Sequence, residues 1–120
     1  MESTHASQAA AVTQLAALAQ ESRLAIFRLL VQQGPEGLAV GRIAGALGLA
    51  NATLSFHLKT LAQAGLIEAR QSGRFIHYSA NYAAMNGLVG FLTESCCSGV
   101  PCCKDAHMAA GRRKEKDVRD

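Results

Sequence analysis

Four cysteines stand within eight positions, in the run Cys96-Cys97-Ser98-Gly99-Val100-Pro101-Cys102-Cys103. Thiolates are soft donors, so a donor set without carboxylates selects soft ions and excludes magnesium and calcium. Zinc wants four ligands in a tetrahedron, normally from cysteines separated by two residues, and two adjacent cysteines chelate such an ion only with strain. A trigonal thiophile fits vicinal pairs better: arsenite takes three thiolates in a pyramid, with its lone pair in the fourth direction, and antimonite shares that preference. Gly99 and Pro101 favour a chain reversal that brings the second pair back toward the first. The expected ligands are Cys96 and Cys97 plus one of the second pair. Cys103 stands ahead of Cys102, because Cys102 follows Pro101 and lies in the turn. Unligated thiols and a thiol–disulfide switch are the two other readings of the same residues.

The elements that would position such a trap must come from one domain, since 120 residues suffice for a single core. There is no Trp and there are only six aromatics, so Leu, Ala, Ile and Val must build that core, which suits helical packing. The net charge of +3 is too small to imply nucleic acid by itself. It is unevenly spread: residues 51–77 carry Lys59, Arg70 and Arg74 against Glu68, and residues 112–120 carry five bases against three acids. No stretch approaches 18 apolar residues, and residues 1–20 lack both a basic segment and a compact apolar run. The expectation is a cytoplasmic protein, in which clustered cysteines serve as ligands or redox thiols rather than structural disulfides.

Hydrophobic periodicity predicts five helices and one hairpin. The first dozen residues show no clear cap; Val12, Leu15, Ala16 and Ala19 then fall at the spacing of one helical face. Residues 22–33 are apolar on more than one side, as in a helix buried between others, and Gly34-Pro35 stops them. Residues 40–47 form a short helix with Ile43, Ala44 and Leu47 inward, closed by Gly48. Asn51 is placed to cap a fourth helix whose core side is Leu54, Leu58 and Leu61, with Gly65 ending it. The period then changes: residues 66–71 and 74–79 read as extended runs around Ser72-Gly73, a hairpin. A last helix over residues 82–94 sets Met85, Leu88, Val89 and Leu92 on one apolar stripe.

Two helices across a tight glycine-containing turn, followed by a charged hairpin, form a winged helix-turn-helix pattern: mostly α with a small β-hairpin. On the fourth helix Thr53, Phe56, Thr60 and Gln63 lie opposite the leucines, with Asn51, Ser55, His57 and Lys59 on the flanks. Short polar side chains near a helix start suit base edges in a major groove, and Lys59 suits a phosphate. Arg70, Arg74 and His77 sit where a wing would lie along the backbone or minor groove. Groove readers of this kind usually need two half-sites, so a homodimer is expected. Its interface would draw on Met85, Leu88, Val89 and Leu92 together with Val12 and Leu15.

Residues 20–78 add a resemblance. ESRLAIFRLL, followed by LGLANATLSFHLKTLAQAGLIEARQSGRFIHYS, resembles the ArsR/SmtB family of metal-responsive winged-helix repressors. The likeness rests on an Arg-containing second helix, a serine-bearing recognition helix running into H-L-x-x-L-x-x-A-G-L-I, and an R-x-x-G-R hairpin with a tyrosine. It implies a homodimer that blocks transcription at a palindromic operator of double-stranded DNA and releases it on ion binding. Phe56 departs from the polar residue usual in the family, and contact with a thymine methyl is the alternative to direct hydrogen bonding there. The family's frequent C-V-C arsenic motif corresponds to Ala39-Val40-Gly41 and is absent. Its Asp/His zinc site on the last helix is equally unsupported, since residues 82–94 contain neither Asp nor His.

The expected organisation is therefore residues 1–95 as a winged helix-turn-helix DNA-binding and dimerisation domain and residues 96–120 as a cysteine-containing, charged tail. The expected function is a non-enzymatic repressor of a metal or metalloid resistance operon, released by arsenite or antimonite at the cysteines. A response to cadmium, lead or zinc, a thiol-oxidation sensor and a soft-metal carrier are alternatives. So is a thiol enzyme such as an arsenate reductase, against which stand the missing C-x5-R loop and the missing C-x-x-C after a strand.

Overall fold

The computed structural model describes residues 7–95, in the order α1 (Gln8–Leu18), α2 (Glu21–Gln33), β1 (Leu38–Ala39), α3 (Val40–Leu47), α4 (Asn51–Gln63), β2 (Ile67–Ser72), β3 (Phe75–Ala80) and α5 (Tyr82–Leu92). All five helices expected from periodicity are present, with the hairpin between the last two. The strand β1 is additional. It pairs with β3 through Leu38↔Tyr78 and Ala39↔His77, which makes a three-stranded antiparallel sheet of order β1-β3-β2. Two residues are too few for an alternation signal, so only pairing with a strand some forty positions away reveals this element.

Local chemistry accounts for most of the boundaries. The Ser7 hydroxyl accepts from the Ala10 amide at 3.1 Å and caps α1, where the sequence shows no obvious start. The Gln20 side chain does the same for α2, accepting from the Arg23 amide at 2.9 Å. Gly48, at φ 66, closes α3 in the left-handed region that an L side chain avoids. In the hairpin, Ser72 pairs with Phe75, leaving Gly73-Arg74 as a two-residue loop. Gly73 has φ 63, whereas Arg74 is not among the positive-φ residues, as in a type II′ turn.

The core gathers one side of each helix. Ile26 and Leu30 from α2, Ile43 from α3, Leu54 and Leu61 from α4, and Leu66 before β2 are fully buried, with Phe27, Leu58, Ile67 and Ala80 around them. Each of the larger aliphatic side chains contributes about 1.5 to 3 kcal/mol by leaving water. The helix α1 packs on the body through a face other than that of Val12, Leu15, Ala16 and Ala19. Its buried residues are Ala11, Gln14 and Ala17, and Val12 and Leu15 face outward with 59% and 42% of their surface exposed. Ala11 and Ala17 let α1 lie close against the body, and Leu18 packs on the core, while Val12 and Leu15 remain outside.

The last helix is tied down by its first residues. Asn81 caps α5, its Oδ1 accepting from the Ala84 amide at 3.1 Å, and its Nδ2 donates to the Gly65 carbonyl at 3.0 Å. The Asn81 amide donates to the Leu66 carbonyl at 2.8 Å. The Tyr82 hydroxyl reaches the end of α2, donating to the Val31 carbonyl at 2.9 Å. Asn81→Ala removes the cap and the Gly65 bond together, for an expected loss of about 1 to 2 kcal/mol. That loss should lower the thermal midpoint by roughly 4 to 16 °C in circular dichroism and speed hydrogen exchange in α5 first.

Candidate nucleic-acid interface

The turn between α3 and α4 is short, Gly48 to Ala50, so the two helices form a helix-turn-helix and α4 is its second member. The residue in the cap conformation is Ala50 (φ −68, ψ 149), which supplies no side-chain bond, and Asn51 is the first helical residue. Asn51 therefore does not cap α4, contrary to the sequence expectation, because the helix begins one position earlier than a capping Asn requires. Its side chain is exposed at the helix start instead.

Thr53, Ser55, Phe56, Lys59 and Gln63 are also exposed along α4. Phe56 is the largest of them, with 62% of its surface open to solvent. The Thr60 hydroxyl turns back on its own helix and donates to the Phe56 carbonyl at 3.1 Å.

His57 is the clear correction. It was expected on a flank of the reading face, yet it is 8% exposed and lies among the buried residues of α4. The reason is geometric: Leu54, His57, Leu58 and Leu61 stand at i, i+3, i+4 and i+7, so position 57 falls within the inward arc. Its Nδ1 lies 3.4 Å from a guanidinium nitrogen of Arg23. The Arg23 Nε in turn donates to the Ala17 carbonyl at 2.6 Å, so one arginine links the end of α1, α2 and the recognition helix. That role was missed in the sequence, although polar pairs inside an apolar arc are the signal for such a link.

The hairpin stands beside α4. Between them runs an open groove of about 460 Å³, lined by Ser55, Lys59 and Gln63 of α4 and by Ile76 and Tyr78 of β3, with Val40, Leu58 and Ala62 at its floor and sides. Arg70 and Arg74 are exposed, though one Arg70 nitrogen donates to the Glu36 carbonyl at 3.1 Å and braces the wing against the loop before β1. His77 is half-buried, with its Nδ1 occluded and without a hydrogen-bond partner. Arg42, exposed on α3, is a further cation that sequence reasoning passed over. With Ile43 and Ala44 facing in, the wheel places it out, where the first helix of such a motif crosses the backbone.

On α5 the expected dimer stripe divides. Leu88 is 6% exposed and Met85 packs on the core, so both belong to the chain's own body rather than to a free face. Val89 and Leu92 are 53% and 57% exposed. A stripe that wide covers more than one contact direction, and docking on the body uses half of it.

The cysteines Cys96, Cys97, Cys102 and Cys103 lie outside the described residues. Among the described residues no group of three or more His, Cys, Asp or Glu is placed to hold a metal ion, and no helix is long and apolar enough to cross a membrane.

Comparison with known proteins settles the type of this architecture. Residues 18–70 match a helix-turn-helix domain model. The chain is 33% identical to the homodimeric winged helix-turn-helix DNA-binding domain of Mb0332 from Mycobacterium bovis, described as a possible ArsR-family transcriptional regulator. That match covers 72% of this chain and 81% of the other with a TM-score of 0.58. An ArsR-like transcriptional regulator from Rhodococcus sp. RHA1 matches over 92% of this chain and 96% of its own, with 25% identity and a TM-score of 0.63. The chain belongs to the ArsR family. Its described residues thus form the winged helix-turn-helix unit of a transcriptional regulator, not the fold of the thiol enzyme weighed as an alternative. Nodulation protein NolR of Rhizobium meliloti is 35% identical over 80 residues, covering 67% of this chain, which spans 63% of NolR's length.

Proposed function

We propose that this ArsR-family chain is a homodimeric repressor of a metal or metalloid resistance operon that holds a palindromic operator and releases it when a soft ion, arsenite foremost, is bound by its cysteines. The observation that carries the DNA-binding part is the outward row Asn51, Thr53, Ser55, Phe56, Lys59 and Gln63 on α4, flanked by a wing with Arg70 and Arg74 toward its tip and its one carboxylate, Glu68, at the far end. A major groove accommodates that row, Lys59, Arg70 and Arg74 suit phosphates, and Phe56 suits a thymine methyl. The dimer part is supported by Val12, Leu15, Val89 and Leu92, large apolar side chains left exposed on α1 and α5.

The sensing part rests on donor chemistry. Cys96 follows the last residue of α5 by four positions in the sequence, so an ion held by its thiolate would act on the end of a helix that carries half the exposed apolar face. Three thiolates from Cys96, Cys97 and either Cys103 or Cys102 suit arsenite or antimonite, which supplies a trigonal soft acceptor. Constraining the residues after α5 would alter the angle between two reading heads that must enter grooves about 34 Å apart. A coupling of about 1 to 3 kcal/mol is enough to release the operator.

The test is a gel shift on a duplex selected by the protein from a randomised pool. Reduced protein should retard the duplex, and micromolar arsenite should reverse this about tenfold or more. Cys96→Ser with Cys97→Ser should bind as before and ignore arsenite. A double variant that still responds would move the sensor away from these residues. Antimonite, cadmium, lead, zinc and peroxide in parallel lanes separate the alternative inducers.

A further inference from the structure

The wing carries more than charge. Phe75 and Ile76, the first two residues of β3, are 63% and 44% exposed, immediately after Arg74 in the two-residue tip. Single exposed apolar residues are ordinary on a protein surface. Here two large ones sit at the end of a short hairpin, where they do nothing for the chain's own core. Because side chains alternate along a strand, they point to opposite faces: Ile76 lines the groove shared with α4, and Phe75 stands on the outer face with Arg70 and His77.

On this basis we propose that the tip Arg74-Phe75 enters the DNA minor groove, with the Phe75 ring wedged between neighbouring base pairs so that the duplex bends. The inference rests on the DNA-binding reading above and adds a second contact and a source of specificity to it. Three features point to this partner. The hairpin carries Arg70 and Arg74 against one acid, Glu68, which stands at the end away from the tip, so the tip complements a polyanion. The tip is continuous with the α4 face through the groove lined by Ser55, Lys59 and Gln63. And the tip is small: two residues close the hairpin, so a turn and the side chains beside it approach the minor groove while α4 occupies the wider major groove. Apolar wedges beside a cation are how minor-groove contacts unstack a step, kinking the helix by about 20 to 90°. Pyrimidine–purine steps yield most easily, so the sites chosen should carry TA or CA steps where the wings fall, at positions no hydrogen bond reads.

The experiment uses the full chain, a duplex it selects from a randomised pool, and two readouts besides affinity. One is the bend angle from permuted fragments in a gel; the other is fluorescence of 2-aminopurine placed at the step under the wing. Wild type should bend the duplex and raise the fluorescence several-fold. Phe75→Ala, at an exposed position, should keep its helical signal and bind with affinity lowered no more than about tenfold, but give a straight complex with quenched probe. Phe75→Leu should restore part of the bend. Equal bending by wild type and Phe75→Ala, or a bound but straight wild-type complex, overturns this inference and leaves DNA binding intact. Failure to retain any duplex overturns the DNA-binding reading and the wedge with it. If Phe75→Ala instead abolishes self-association with bending unchanged, the ring belongs to a protein contact and the wedge is wrong.

Discussion

Replacing Val89 and Leu92 together by aspartate should turn the protein into a monomer and weaken its hold on a two-half-site operator by about 100-fold or more. Both side chains are more than half exposed on α5, and Val12 and Leu15 are exposed on α1, which packs against α5 within the same chain. A second copy presents the same apolar patch, and an isologous contact uses that patch twice. Two carboxylates placed in such a contact would each have to be desolvated or would hold the surfaces apart, at several kcal/mol per interface. Losing the dimer makes each half-site a separate event, and the advantage of linkage, about 10² to 10⁴, is lost with it. Sedimentation equilibrium reads the mass, and the gel shift reads the affinity. Because the two positions are solvent-exposed in the protomer, its circular dichroism should be unchanged. A variant that remains dimeric would place the interface elsewhere, and a monomer with full operator affinity would remove the need for two reading heads.

Gly37→Ala is expected to have the largest effect on stability. Gly37 precedes β1 at φ +75, and a Cβ there would collide with the backbone carbonyl of Tyr78 on β3. Two costs therefore add: a left-handed conformation that alanine resists, and overlap with a backbone atom that cannot rotate away. The sum is about 2 to 4 kcal/mol, a large share of the stability of a domain this size. The thermal midpoint should fall by roughly 10 to 25 °C. Gly34→Ala is the internal control: φ is +102, but nothing lies within 4 Å of the added Cβ, so only the strain applies. Equal losses in the two variants would show that the approach to Tyr78 carries no cost. Part of the damage should be functional. The β1–β3 pairing aligns the start of α3 with the wing, and loosening it disturbs the distance between the groove readers and the tip.

Several parts of this structure were legible in one dimension because their causes are local. Gly48 and Gly65 end their helices at the expected places, and Gly73 with Arg74 turns the hairpin, shifted by one residue from the expected Ser72-Gly73. The outward positions of Thr53, Ser55, Phe56, Lys59 and Gln63 follow from a 3.6-residue period around Leu54, Leu58 and Leu61. His57 escaped that reasoning because three leucines define an arc only loosely, and a histidine inside the arc looks like one on its edge. Its burial is decided by Arg23, more than thirty positions away, which gives the ring a polar neighbour.

Residue types alone thus determined the succession of helices and hairpin, the polar row on the reading helix and the soft character of the thiol cluster, since each depends on neighbours within a turn or two of chain. Packing decided which way each amphipathic face points. The body took Ala11, Gln14 and Ala17 and left Val12 and Leu15 outside; it took Leu88 and left Val89 and Leu92. Periodicity specifies an angle between side chains on one helix, but inward has no meaning until another helix or strand arrives from far along the chain. That distant arrival also created β1, buried His57 and set the wing beside the recognition helix.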